Sequence, residues 1–120
     1  MNVRLLAITT VLLLVISGCG YNPARDKDCP GCDLNGANLS KVFLVETNLT
    51  DANLTGANLS RANLSRANLS QVSLVFANLT NANLANANLA AANLTGADLD
   101  GVHGADFSGA LNVPDKYLKD

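Results

Sequence analysis

Cys29-Pro30-Gly31-Cys32 is the first place in this chain where residue type and spacing suggest chemistry. Two thiols three positions apart can cycle between dithiol and disulfide, or supply half of a four-ligand zinc site. The other half of a zinc site is missing: no second cysteine pair exists, and His103 stands alone far along the chain. No histidine follows Cys32, which argues against haem attachment. A thiol–disulfide enzyme also needs a βαβ setting, and the surrounding pattern does not provide one. Two readings stay open, a redox pair and a structural disulfide formed in an oxidising compartment. Elsewhere, a single histidine leaves no nucleophile–base pair to assemble, and no glycine-rich phosphate loop is present. The chain is therefore read as a non-enzyme, with no catalytic residue, cofactor or metal ligand nominated.

The element that carries these cysteines is set by leucine. Leucine recurs every five residues from Leu34 to Leu99, fourteen times without a miss. Two positions before each stands a small residue, usually alanine, and ten of the fourteen central positions are asparagine. On an α-helix, steps of five would scatter the leucines around the cylinder. On a flat strand, an odd step would flip each one to the opposite face. The conflict disappears if the chain bends once per repeat. Ala-Asn-Leu is then a short extended piece with alanine and leucine on one side and asparagine on the other. The next two residues make the bend, where Gly36, Asp51, Gly56, Asn81, Asn86, Gly96 and Gly101 suit strained backbone. Repeated bends of one hand close the chain into a coil with leucine and alanine inside.

The stretches ANLSRANLSRANLS (57–70) and ANLTNANLANANLAAANLTGADL (77–99) resemble the pentapeptide-repeat family, whose unit is A-(D/N)-L-x-x. The resemblance covers about 33–101. It implies an all-β fold, a right-handed quadrilateral β-helix of four repeats per turn and here about 3.5 turns. Residues twenty apart would then stack, placing Glu46 by Arg66, Gly36 by Gly56 and Lys41 by Arg61. After Gly101 the register breaks: eight residues separate Leu99 from Phe107, so either three are inserted or the coil ends. Pro114 suits the start of a short helical turn that would lay Tyr117 and Leu118 over the last coil.

Residues 1–18 differ in kind. Arg4 precedes a run from Leu5 to Ile16 that is apolar but for Thr9 and Thr10, and too short to span a bilayer comfortably. It reads as a helical signal peptide. Ile16-Ser17-Gly18-Cys19 resembles the bacterial lipobox, which implies lipidation at Cys19 and a mature chain starting there. Acyl chains, at about 0.8 kcal/mol per buried CH₂, would hold a soluble rod on a membrane. The resulting organisation is signal peptide 1–18, lipidated tether and N-terminal cap 19–31, β-helix 32–109 and C-terminal cap 110–120. The expected location is exported and membrane-anchored, at the outer membrane or periplasmic face if the host has two membranes.

The remaining polar and apolar features have bland explanations. The asparagines generate many N-x-Ser/Thr sequons as a by-product of the repeat, and are expected to form ladders of stacked amides. Two units break the polar exterior: Phe43 with Val45, and Val75 with Phe76, on opposite faces. They are candidate interface residues, or local packing. Arg61 and Arg66 read as solubilising charges. Eight Lys/Arg against ten Asp/Glu leave a net charge of −2 and no basic footprint for nucleic acid.

Together these features describe a lipid-anchored interaction or structural module of the bacterial envelope, with the membrane and an unknown protein as partners. Two alternatives stand beside it. Some pentapeptide-repeat proteins mimic DNA and bind gyrase, but the mixed charge of this repeat region is poorly suited to that. The other alternative is a redox protein using Cys29 and Cys32.

Overall fold

The structure is a computed structural model that describes residues 28–118. The expected signal peptide 1–18, Cys19 and the first part of the expected tether lie outside the described residues. From Cys29 onward the chain winds into a coil whose turns stack through parallel bridges. Asp33 pairs with Asn53, Asn38 with Asn58, Phe43 with Asn63 and Asn48 with Asn68, each twenty residues on. Twenty residues per turn is four units per turn. Bridges run on to Leu111, so the stacked coil makes about four turns.

One unit shows why the repeat has its composition. In 57–61 the Ala57 N–H donates to Leu54 O (3.0 Å) and closes the bend. The Asn58 N–H reaches back one turn to Ala37 O (2.9 Å), while Leu59 N–H and Arg61 N–H reach forward to Asn78 O (2.7 Å) and Thr80 O (2.9 Å). That leaves Ser60 N–H, and Asn58 Oδ1 accepts it at 3.0 Å. All five donors of the unit are thus satisfied, as a buried or half-buried backbone requires. The asparagine is needed because its short side chain reaches the amide two residues on, an Asx-turn. Asp33 and Asp98 do the same for Asn35 and Asp100, which explains why aspartate substitutes there. The expected amide ladder is therefore not the main arrangement. Stacked side chains touch at Asn53 Nδ2 to Asp33 Oδ1 (3.5 Å) and Asn112 Nδ2 to Asn93 Oδ1 (3.1 Å), whereas the Asx contact recurs in unit after unit.

The bend has its own signature. The second residue after each leucine sits at positive φ, from Gly36 (68°) and Lys41 (62°) to Gly101 (71°). With the carbonyl-to-amide bond three residues apart, this is the hydrogen-bonding of a turn with a left-handed third residue. Lys41, Glu46, Arg61, Arg66, Gln71, Phe76 and Ala91 all take this conformation, at roughly 1–2 kcal/mol each relative to ordinary backbone. The coil tolerates that because these N–H groups hydrogen-bond to the next turn.

Leucine and alanine fill the interior. Leu34 to Leu99 are 0–3% exposed, and the alanine positions are nearly as buried. Thr47 takes one alanine position, and its Oγ1 is buried without a hydrogen-bond partner.

Side chains close both ends. At the start, Asp28 Oδ1 accepts the Asn48 N–H at 2.8 Å, where a preceding turn would offer a carbonyl. At the finish, the coil neither gains three residues nor ends after Gly101, the two expected alternatives; its register shortens by two. Asn83 still pairs with His103, twenty on, but Asn93 pairs with Leu111, eighteen on. The last turn takes a shorter path, with Phe107 and Ala110 half-buried against the core. Pro114 then caps a 3-10 helix at Asp115–Tyr117. Tyr117 packs on the core while Leu118 stays 57% exposed.

Candidate functional site

A core filled by leucine leaves the surface and the two ends as the places where chemistry can occur. At the first turn, Cys29 and Cys32 form a disulfide with Cα atoms 5.5 Å apart. Cys29 N–H donates to Asn48 O (2.8 Å), so this bridge closes a bend that belongs to the coil. Both cysteines are buried, at 3% and 1% exposure. Thiol–disulfide exchange needs a thiolate in line with an accessible sulfur, and burial withholds that access. The bridge acts as a staple at the coil's mouth.

The candidate interface residues are not brought together. Phe43, 40% exposed, stands on the face it shares with Asn63 and Asn83, while Phe76, 69% exposed, stands on the far corner. The Phe76 ring lies along the rod over Gly96, where an added Cβ would collide with it. Val45 and Val75 are half-buried beside these aromatics. Both valines occur in units whose central residue is not asparagine. Phe43 has no acceptor to offer, and the Ser73 hydroxyl bonds Thr55 Oγ1 instead (2.8 Å).

Charge is distributed by corner. On one, Arg66 Nη1 meets Glu46 Oε1 at 3.1 Å, both well exposed. On the next, Lys41 and Arg61 stack on successive turns beside an open furrow of about 380 Å³.

At the C-terminal end Tyr117 lies over the last coil as expected, but the hydrogen-bonded cluster it forms there is not among the sequence expectations. Tyr117 Oη accepts the Leu99 N–H at 3.0 Å and donates to Asp100 Oδ1 at 2.8 Å, with Asp98 Oδ1 at 3.3 Å. Lys116 Nζ lies 3.1 Å from Asp100 and 4.7 Å from the Tyr117 ring centre. The Tyr117 hydroxyl and then Lys116 hold the Asp100 carboxyl below its usual value. The same contacts, with Tyr117 and then Asp100, push the Lys116 ammonium up. A tyrosine near the end of a solenoid carries no sequence signal for this role, because the partner is a backbone amide. Among the described residues no group of three His, Cys, Asp or Glu is placed to hold a metal, and no helix is long and apolar enough to cross a membrane.

The repeating geometry has a direct match. The family model for pentapeptide repeats aligns in eight copies, over 32–71 and 67–111. The chain belongs to the pentapeptide-repeat family. Proteins of this family are generally structural or interaction modules. Among solved structures, this pentapeptide-repeat chain is similar to a trypsin-treated variant of QnrB1, a plasmid-mediated fluoroquinolone resistance protein. The TM-score is 0.55 and the identity 26%, over 73% of this chain and 41% of that one. It is also similar to Rfr23 from the cyanobacterium Cyanothece 51142, at 35% identity and TM-score 0.45, covering 77% and 67% of the two chains. A third, from Nostoc PCC 7120, has 36% identity and TM-score 0.39, covering 72% and 85%. The chain thus spans about two fifths of that QnrB1 variant. No curated protein is similar enough to match.

Proposed function

We propose that this pentapeptide-repeat protein is a non-enzymatic, lipid-anchored module of the bacterial cell envelope that acts through its outer surface. In this reading 1–18 is a helical signal peptide, Cys19 carries the lipid, and a right-handed coil projects from the membrane to meet a protein or envelope component. The observation that carries it is how the residues of each unit are used. Leucine and alanine point inward, and the asparagine carboxamide oxygen is committed to its own bend. What faces outward is an array of side chains at fixed spacing on a stiff scaffold. Two further features support export: the Ile16-Ser17-Gly18-Cys19 motif, and a buried Cys29–Cys32 bridge of the kind that persists in oxidising compartments. The test is metabolic acyl labelling with membrane fractionation of the wild type and Cys19→Ser. Label and membrane association should both depend on Cys19, and an unlabelled cytosolic wild type refutes the reading.

Similarity to a fluoroquinolone resistance protein favours a second reading, a DNA mimic acting on gyrase. The charge pattern weighs against it. Glu46 is paired with Arg66 and Asp100 with Lys116, and among the described residues Lys41 and Arg61 have no ion-pair partner. A supercoiling assay discriminates: inhibition of gyrase by the purified chain would support mimicry.

A further inference from the structure

The geometry points to the furrow beside Lys41 and Arg61 as a binding site for an acidic glycan, a saccharide chain bearing carboxylate or sulfate groups. This deepens the interaction-module reading by naming a partner class, and it does not depend on the lipid anchor. The two cations occupy the same corner on successive turns, and among the described residues neither has an ion-pair partner. The contrast with Arg66, held by Glu46, is made within one molecule. Like charges stacked on adjacent turns repel, and a bound anion relieves that repulsion.

The groups between them are donors. Asn58 and Asn78 spend Oδ1 on the Ser60 and Thr80 amides. Their Nδ2 groups make no hydrogen bond within the described residues, and both asparagines line the furrow. The Ser60 hydroxyl is also unspent, whereas Thr80 and Ser40 turn theirs to asparagine oxygens. No carboxylate lines the furrow. The acid that continues this corner, Asp100, is neutralised by Lys116 and Tyr117.

The shape and chemistry select among anions. The furrow is open and its walls are polar, so it offers no pocket for an apolar anchor of the kind a peptide uses. The Asn58, Leu59, Arg61, Asn78, Leu79 and Asn81 N–H groups all bond to neighbouring turns, so the units around Arg61 offer no free strand edge for an added peptide. Amide and hydroxyl donors flanking two cations match saccharide hydroxyls and acidic groups repeated along a chain.

The test is direct binding of the full-length chain, in detergent, to polygalacturonate, dextran sulfate, neutral dextran and polyglutamate. Lys41→Asn and Arg61→Asn keep a residue suited to positive φ, so the coil is preserved, and Arg66→Asn is the control. The expected result is binding to one or both acidic glycans and none to dextran, with a loss of roughly tenfold or more for each of the first two variants and none for Arg66→Asn. The two glycan arms distinguish a carboxylate from a sulfate ligand. No binding to either acidic glycan, equal binding by Lys41→Asn and Arg61→Asn, or tighter binding to polyglutamate overturns the assignment. None of these results would alter the acylation result at Cys19.

Discussion

Tyr117 Oη stands 3.0 Å from the amide nitrogen of Leu99 and accepts a hydrogen bond from its N–H. In the body of the coil that donor would meet a carbonyl of the next turn, as Leu79 N–H meets Asp98 O at 2.8 Å. The phenol replaces a turn that the chain does not make. Asp28 does the equivalent at the other end, accepting the Asn48 N–H. Side-chain oxygens thus satisfy edge amides that would otherwise invite pairing with another chain. Tyr117→Phe keeps the ring and removes the acceptor. It should lower stability by about 1 kcal/mol, read in denaturant unfolding, with little change in far-ultraviolet dichroism.

Asp100 and Lys116 give this end a pH dependence. The Asp100 carboxyl is held below its unfolded value by Tyr117 and Lys116, so its contribution is present above about pH 3.8 and is lost as pH falls through the lowered folded value. The Lys116 ammonium is raised, so its contribution is present below about pH 10.5 and is lost as pH rises further. Both groups are exposed, so salt should weaken the effect. Asp100→Asn should flatten part of the acid limb of a stability–pH curve. The rest persists, because Asp106 is also lowered, chiefly by Ser108.

The role of asparagine predicts a specific order of substitutions. At Asn68, Oδ1 accepts the Ser70 N–H (3.1 Å) and hydroxyl (2.8 Å). Asn68→Asp retains the acceptor and should change stability by less than about 0.5 kcal/mol, whereas Asn68→Ala should cost about 1–2 kcal/mol. If cross-turn amide ladders mattered more, aspartate would be as damaging as alanine, and calorimetric melting of the two variants decides between them.

Phe76 and Gly96 should be coupled. Gly96→Ala meets two obstacles, a φ of 66° and the Phe76 ring. The backbone part is about 1 kcal/mol, and displacing the ring adds to it. In a Phe76→Asn background only the backbone part remains. A double-mutant cycle should give a coupling of about 1 kcal/mol, and additive effects would place the ring elsewhere.

Much of the scaffold is legible from residues alone. A period of five fits neither helix nor strand, so fourteen leucines compel a coil, and a stack of twenty explains the Glu46–Arg66 contact. The asparagines are harder to read. An amide ladder and an Asx-turn need the same residue at the same spacing, and only the position of Oδ1 separates them. The last turn is obscured because Phe107 looks like a displaced leucine. The strand that pairs with Asn93 is instead centred on Leu111, which the repeat does not mark. Pro114 places Tyr117 over the coil, but the acceptor role of its hydroxyl depends on a backbone amide that no side-chain pattern reveals. The stack of twenty already sets Lys41 by Arg61, but the furrow is not legible, because the unpartnered donors between them emerge only once the bends are built.

The most direct test of the account is the intact mass and N-terminal peptide of the native protein purified from membranes. The expected chain begins at Cys19, carries acyl chains on that residue and retains the Cys29–Cys32 disulfide. A chain that still begins at Met1, or one cleaved nearby with an unmodified Cys19, would contradict it.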